Sequence, residues 1–397
     1  MDGRAPGDGT NGRTAIVVGG GIGGLAAAVA LRRCGWRVEV LERAPAFGEV
    51  GAGLVLWPNG VRALDALGLG GQVRRRALTE TEGGIRDVTG RWLSRTNIQE
   101  LERRYGPVVA VHRADLTEIL RAAVPTTGLR MDTEVTAVEA DGPQVEVRHR
   151  AGVTRGELLI GADGIHSVVR RSLWPGHPAP RYAGYTAWRA IVDPGGPHSA
   201  NGETWGRGER VGIVPLADGT TYLFGAANAP EGERSPDGEV AEMRRRFNRW
   251  HAPIPELLAA MSEDAVMRHD IYELPRLRTF VHGRTALLGD AAHAMTPDMG
   301  QGANQALEDA VTLAAMLAAH PALESALAAY DRHRRGRTQM IARRSRLIGT
   351  VAQWSWLPAA VIRDRVLRLS SSWSVLKALD PALAWCPPAL NSAPRPS

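Results

Sequence analysis

The sequence predicts an α/β fold: a doubly wound, Rossmann-like domain assembled from several stretches of chain, an inserted and mostly antiparallel β-sheet domain, and closing helices. Three observations predict it. An apolar run leads into a glycine turn and then a helix three times, in "TAIVVGGGIGG" (14–24), "ELLIGADGIHSVVRRSL" (157–173) and "RTALLGDAAHAMTPDMGQG" (284–302). Continuous apolar strands of this kind mark a parallel sheet covered on both faces. Between about 180 and 282 the texture changes to alternating strands such as "GYTAWRAIV" and "GTTYLFGAA", the pattern of a sheet with two unlike faces. At 397 residues the chain is long enough for two domains.

The elements follow in order. Residues 14–43 read as strand, tight turn, helix, strand; Ala26, Ala27, Ala28 and Ala30 keep the helix slim enough to lie close on a sheet, and Gly35 ends it. After "GAGLVLWPNG" a short helix spans 60–67, closed by Gly68. "HRADLTEILRAAV" (112–124) is an amphipathic helix with Asp115 in its first turn, where an acid suits the helix dipole. "EVTAVEA" and "QVEVRHR" are strands joined by the turn former Asp141-Gly142. A polar loop, "APEGERSPDGE", and one charged helix interrupt the alternating strands, and long helices run from 284 to the end. No internal repeat is evident.

Composition narrows the function classes. The hydrophobic fraction of 44% is ordinary for a globular protein. No apolar run reaches the roughly 18 residues of a membrane span, and the polar "MDGRAPGDGTNGR" lacks the apolar stretch of a signal peptide. Cys34 and Cys386 are far apart and form no redox or metal pair. The expectation is a cytoplasmic protein without disulfides. The net charge of +6 is almost all arginine, Lys377 being the only lysine, and with no recognised binding motif it does not read as a nucleic-acid signal. No cluster has metal-ligand spacing, GxSxG is absent, and there is no GxxxxGK loop; metal, serine-nucleophile and nucleoside-triphosphate chemistry are set aside.

Gly19, Gly21 and Gly24 form GxGxxG between strand and helix, with Glu42 closing the second strand. Gly19 permits the tight turn, Gly21 lets a pyrophosphate approach the backbone, and Gly24 lets helix and strand touch. The helix start supplies amide donors and a positive dipole end to the phosphates, and Glu42, flanked by Arg43, is placed to accept from ribose hydroxyls. This is a dinucleotide site, and the motif alone leaves NAD or FAD open. In the third segment Asp290 follows a buried strand, Pro297 and the glycines Gly300 and Gly302 shape a loop, and a helix runs from about Ala303. Its positive end would stabilise an anion lying before it. The alternative is that Asp290 caps a helix and the glycines turn the chain.

"GADGIHSVVR" (161–170) and "RTALLGDAAHAMTPDMGQGANQALEDA" (284–310), in this order after GxGxxG, resemble the fingerprints of the single-component flavin monooxygenases, the family of para-hydroxybenzoate hydroxylase, salicylate hydroxylase and zeaxanthin epoxidase. The resemblance extends through "GAGLVLWPNGVRALDALGL", "VHRADL" and the closing "LAWCPP". It implies a non-covalent FAD site in which Asp290 binds the ribityl chain and Arg113 meets the pyrophosphate. Asp163 and Gly164 belong to a motif linked to FAD and the nicotinamide cofactor, with Arg170 closing it; Pro297, Gly300, Gly302 and Asn304 complete the cradle. It also implies that NADH or NADPH reduces the flavin, that oxygen then gives a C4a-hydroperoxyflavin, and that a small aromatic or polyene substrate is hydroxylated or epoxidised. A flavin oxidase or dehydrogenase, or a non-catalytic binding protein of the same fold, are the other readings. The expected division assigns 13–75, 105–178 and 283–345 to the FAD-binding domain and 76–104 and 179–282 to the substrate domain. Residues 1–12 would form a disordered tail, 346–397 a C-terminal helical segment, and the protein a monomer or homodimer without stable membrane insertion.

Arg189 is the candidate catalytic residue. On its strand it shares a face with Tyr185, Ala187 and Ile191, and a cation among apolar neighbours asks for an anion. It would hold a phenolate or carboxylate substrate or steady the flavin peroxide, or else reach solvent from a strand end. Tyr222 and Phe224 share a face that lines a pocket or packs in the core, and the same pair of readings holds for Trp57. His293 is expected to support its loop through its backbone, a catalytic role being the alternative. The tryptophans and arginines of "WSWLPAAVIRDRVLRLSSSWSVLKAL" suit either packing on the flavin domain or a membrane-surface helix.

Overall fold

The computed structural model describes residues 12–48, 52–140, 142–196 and 200–390. The expected tail, apart from Gly12, therefore lies outside the described residues, as do Asp141 of the expected turn and the last seven residues.

The parallel strands form a six-stranded sheet in the order Val281–His282, Thr285–Leu287, Leu158–Gly161, Thr14–Val18, Arg37–Leu41, Leu129–Arg130. All neighbours are parallel except the first pair. Thr14–Val18 and Leu158–Gly161 are buried throughout, which is why they carry no polar alternation. The helix Ile22–Arg33 packs on this sheet, its four alanines all without solvent exposure. Helix Gly302–Ala319 packs beside it: a Cβ on Gly23 would stand 2.9 Å from Leu288 and 3.2 Å from Ala306. An antiparallel sheet of Val135–Glu139, Val145–His149 and Gly152–Gly156 covers one side.

The alternating strands form a seven-stranded sheet, ordered Met267–Glu273, Arg181–Val192, Thr221–Asn228, Glu209–Pro215, Gly202–Trp205, Gly84–Asp87, Trp92–Arg95. Only Gly202–Trp205 with Gly84–Asp87 is a parallel pair. One face buries Trp188, Ala190 and Leu223 against helices Glu239–Phe247 and Ile254–Ala259. The second of these helices was not anticipated in the sequence.

Three details depart from the expected division. Leu78–Thr79 pairs with Val109–His112, which also carries Gly53–Leu56, in a separate small sheet. Val281–His282 joins the parallel sheet. Position 345/346 falls inside one continuous helix, Leu323–Ala352, so it separates no elements. Two further helices, Leu357–Leu369 and Ser372–Leu383, end the described chain.

Candidate active site

The three glycine segments meet at the carboxyl edge of the parallel sheet, where ligands of open α/β sheets collect. Gly19 has φ of 103°, and its amide donates to Leu41 O (2.9 Å). A Cβ on Gly24 would collide with the Gly19 carbonyl oxygen, so only glycine lets the helix start this close to the strand. Gly21 differs: it is the N-cap of Ile22–Arg33, has ordinary extended backbone, and a Cβ there would meet nothing within 4 Å. Gly164 and Gly302 face similarly open space. Neither Ile22–Arg33 nor Gly302–Ala319 has a side-chain cap or an acid in its first turn. Two uncapped helix starts packed together present free amides and positive dipole ends to one place, which is what an anionic dinucleotide requires.

Glu42 lies at the rim. Its carboxylate accepts from the amides of Gly20 (2.5 Å) and Ala44 (2.9 Å), and a carboxylate's four acceptor positions leave room for further donors. Arg43 beside it is exposed. Asp290 is also exposed and opens the short helix Asp290–His293, whose N-cap is Gly289. Capping is therefore not its role, and no described residue hydrogen-bonds its side chain. Arg113 starts the helix Arg113–Ala122. Burial lowers its pKa, and it interacts with Asp290, Arg189 and Tyr222, so residues far apart in sequence converge here.

Some expected contacts take a different form. The Asp163 carboxylate is satisfied by Ser167 Oγ (2.5 Å), Val168 N (2.6 Å) and Val169 N (3.2 Å). It caps the helix Val168–Leu173 from its own loop, and its pKa is raised by burial. Asn304 is fully buried; its amide accepts from Trp57 N (3.0 Å) and donates to Gly300 O (2.9 Å) and Val55 O (3.3 Å). Both side chains shape the cradle from behind. Pro297 opens the turn Pro297–Met299, which Gly300 closes with φ of 59°. Trp57 backs that turn: a Cβ on Gly300 would stand 3.1 Å from the indole Nε1, which is buried without a partner among the described residues. His293 supports its loop by side chain as well as backbone, Nε2 lying 2.6 Å from the buried Asp309. Asp309 also receives Gly289 N and Arg334 Nε. Burial alone would raise its pKa, but His293 and Arg334 hold it down to about 2. Arg170, buried, donates to Ala291 O (2.8 Å) and Ile165 O (2.5 Å), tying the second glycine segment to the third.

The other wall is the seven-stranded sheet. Arg189 pairs with Phe224 and Ile191 with Tyr222, so these four share a face. It looks onto Val55 and Ala110 of the small sheet. Tyr222 and Phe224 are half-buried, their rings 5.7 Å apart; Phe224 lies across Gly212, and Tyr222 against Gly53, where a Cβ would be 2.5 Å from its own. The phenol of Tyr222 is pushed up by burial and partly drawn down by Arg189 and Arg113. Arg189 is half-buried and has no hydrogen bond or ion pair among the described residues.

Sequence reasoning missed a cluster on this same face. Ala187, Ala226 and Arg210 are register partners across three strands. Arg210 is ion-paired with Asp298, and Tyr185 Oη donates to Asp298 (3.0 Å). Arg210 and Asp298 have almost no solvent exposure. The pair bolts the inserted sheet to the turn Pro297–Met299. The signal was an arginine alone in the apolar strand "ERVGIVP" and an acid inside the glycine segment.

Comparison with known proteins agrees with this geometry. The FAD binding domain family matches residues 13–345. The chain is 40% identical to the aurachin C monooxygenase/isomerase of Stigmatella aurantiaca, over 91% of its own length and 95% of that protein's. It is 36% identical to the 3-amino-4-hydroxybenzoate 2-monooxygenase of Streptomyces cremeus, over 96% and 98%. The crystal structure of Klebsiella pneumoniae HpxO complexed with FAD and uric acid superposes with a TM-score of 0.88 at 30% identity, covering 97% of this chain and 98% of that one.

Proposed function

The chain belongs to the single-component FAD-dependent monooxygenases, and on that premise we propose that it hydroxylates a small, electron-rich aromatic or heteroaromatic ring whose acidic oxygen is held by Arg189. When bound, reduced by NAD(P)H and met by oxygen, FAD supplies the electrophilic oxygen atom. The protein's task is to hold the cofactor, orient the ring and exclude water.

The holding roles divide along the cradle. The uncapped start of Ile22–Arg33, with Arg113, receives the pyrophosphate, and Glu42 takes ribose hydroxyls at the adenosine end. Asp290 accepts from the ribityl chain, and the uncapped start of Gly302–Ala319 faces the flavin's anionic edge. Asp163, Asn304 and Arg170 fix the loops that make these groups converge.

The observation that carries the substrate reading is Arg189: a half-buried guanidinium with no hydrogen bond or ion pair among the described residues, beside Tyr222 and Phe224, across from the cradle. A planar guanidinium matches a phenolate or carboxylate, and the two rings offer faces for stacking. The test compares phenols and hydroxylated heteroaromatics with the same rings lacking the ionisable oxygen, following NAD(P)H oxidation and product mass. The ionisable set alone should stimulate coupled turnover. In Arg189→Ala, NAD(P)H oxidation should continue with less product and more hydrogen peroxide, and Arg189→Lys should restore little. Equal coupling in parent and Arg189→Ala would make Arg189 structural.

A further inference from the structure

We propose that the outward face of the C-terminal helix Leu357–Leu369 lies on an anionic lipid surface. The helix is anchored from behind. Ala360 and Arg363 are its buried residues, and Arg363 donates to Ala352 O (3.0 Å) and Gly206 O (2.8 Å) while its guanidinium lies over the Trp205 ring. With that face fixed inward, the opposite arc carries Leu357, Val361, Ile362, Val366 and Leu369, with exposures from 40% to 86%. A helix on a globular protein ordinarily turns such residues to the core; this one turns them out. Trp356 precedes the helix at 71% exposure, and Trp373 follows it at 55%. Single exposed apolar residues are common, but five on one helix face, interspersed with Arg365 and Arg368 and flanked by tryptophans, mark an interaction surface.

Charge selects the occupant. Arg365 and Arg368 are exposed within this arc and Lys377 beyond it; Arg368 pairs with Asp87 (2.7 Å), and Arg365 has no hydrogen-bond or ion-pair partner among the described residues. Asp364 is the only acid between 353 and 379, and it pairs with Arg363 (2.8 Å). A two-fold contact with a second copy would face these cations with cations, the neighbouring acids Asp364 and Asp87 being already paired with Arg363 and Arg368. A lipid interface meets both features: apolar side chains enter the boundary below the head groups, tryptophans lie at head-group level, and the basic side chains reach anionic lipids. Among the described residues no helix is long and apolar enough to cross a membrane, and at about 20 Å this one lies flat.

The test is flotation of the FAD-loaded full chain with phosphatidylcholine vesicles, with and without phosphatidylglycerol. The parent should float with the mixed vesicles, and less with phosphatidylcholine alone. Ile362→Glu/Val366→Glu changes two exposed positions and should lower partition at least about tenfold without altering turnover of a water-soluble substrate. Arg365→Glu should remove most of the preference for anionic vesicles. No flotation of the parent, or flotation indifferent to the paired glutamates, overturns the proposal. So does a dimer in sedimentation equilibrium that the paired glutamates dissociate, since the face then belongs to a second copy.

Discussion

Arg210 and Asp298 are both out of solvent, so neither charge is tolerable without the other. Burial alone would lower the Arg210 pKa, and the Asp298 carboxylate, with Glu203 3.6 Å away, more than reverses that; the Tyr185 phenol beside them is driven far up. Removing one partner of such a pair leaves an uncompensated charge, and Asp298→Ala should cost about 3–5 kcal/mol in urea unfolding. The double change Arg210→Met/Asp298→Ala should cost less than Asp298→Ala alone; a strictly additive result would mean the two do not act as a pair. Asp290 is the opposite case, exposed and with no hydrogen bond or ion pair among the described residues. Asp290→Ala should leave the unfolding midpoint alone and weaken FAD about ten- to a hundredfold, the loss of one charge-assisted hydrogen bond. Unchanged flavin titration would remove it from the site.

The glycine loop separates two tasks that one motif joins. Gly24→Ala puts a methyl into the Gly19 carbonyl and should destabilise the strand-to-helix turn itself. Gly21→Ala has ordinary backbone angles and open space, so the fold should persist at the parent's melting temperature while FAD titrates weakly, the methyl standing where the pyrophosphate approaches. Weak binding together with a lowered melting temperature in Gly21→Ala would refute that separation. The packing task of Gly24 was legible because it is local to one turn. The buried strands, the slim alanine helix and the alternating strands were legible for the same reason: each follows from a short period in the chain. Asp163 and Asn304 were not, because an acid or amide in a glycine loop looks the same whether it faces a ligand or its own backbone. Arg210 needed strand register, which no single strand carries: it joins the Arg189 face only through Ala226 and Ala187.

At the scale of the molecule, two buried acids at different joints give stability a pH window. Asp309 ties Gly289, His293 and Arg334 together behind the cradle. Its pKa is depressed to about 2, so its contribution is complete above the ordinary carboxylate range and is lost as pH falls through about 2. Glu80 works the other way. It lies where the small sheet meets the seven-stranded one, its amide bonded to Val108 O (2.9 Å) and its carboxylate to Asn201, just before strand Gly202–Trp205. The second carboxylate oxygen is buried without a partner among the described residues, and burial raises the pKa from 4.5 to about 7. Between those two values the folded state binds the extra proton, so stability falls as pH rises through about 7, by an amount on the order of 3 kcal/mol. Glu80→Gln keeps the shape and removes the titration. The parent's urea midpoint should decline between about pH 5 and pH 8 relative to that of Glu80→Gln, while Asp309, ionised throughout that range, contributes equally to both. Parallel midpoints for the two proteins would show that the Glu80 carboxylate is ionised in the folded protein at no penalty, and that the joint between the two sheets is not pH-sensitive.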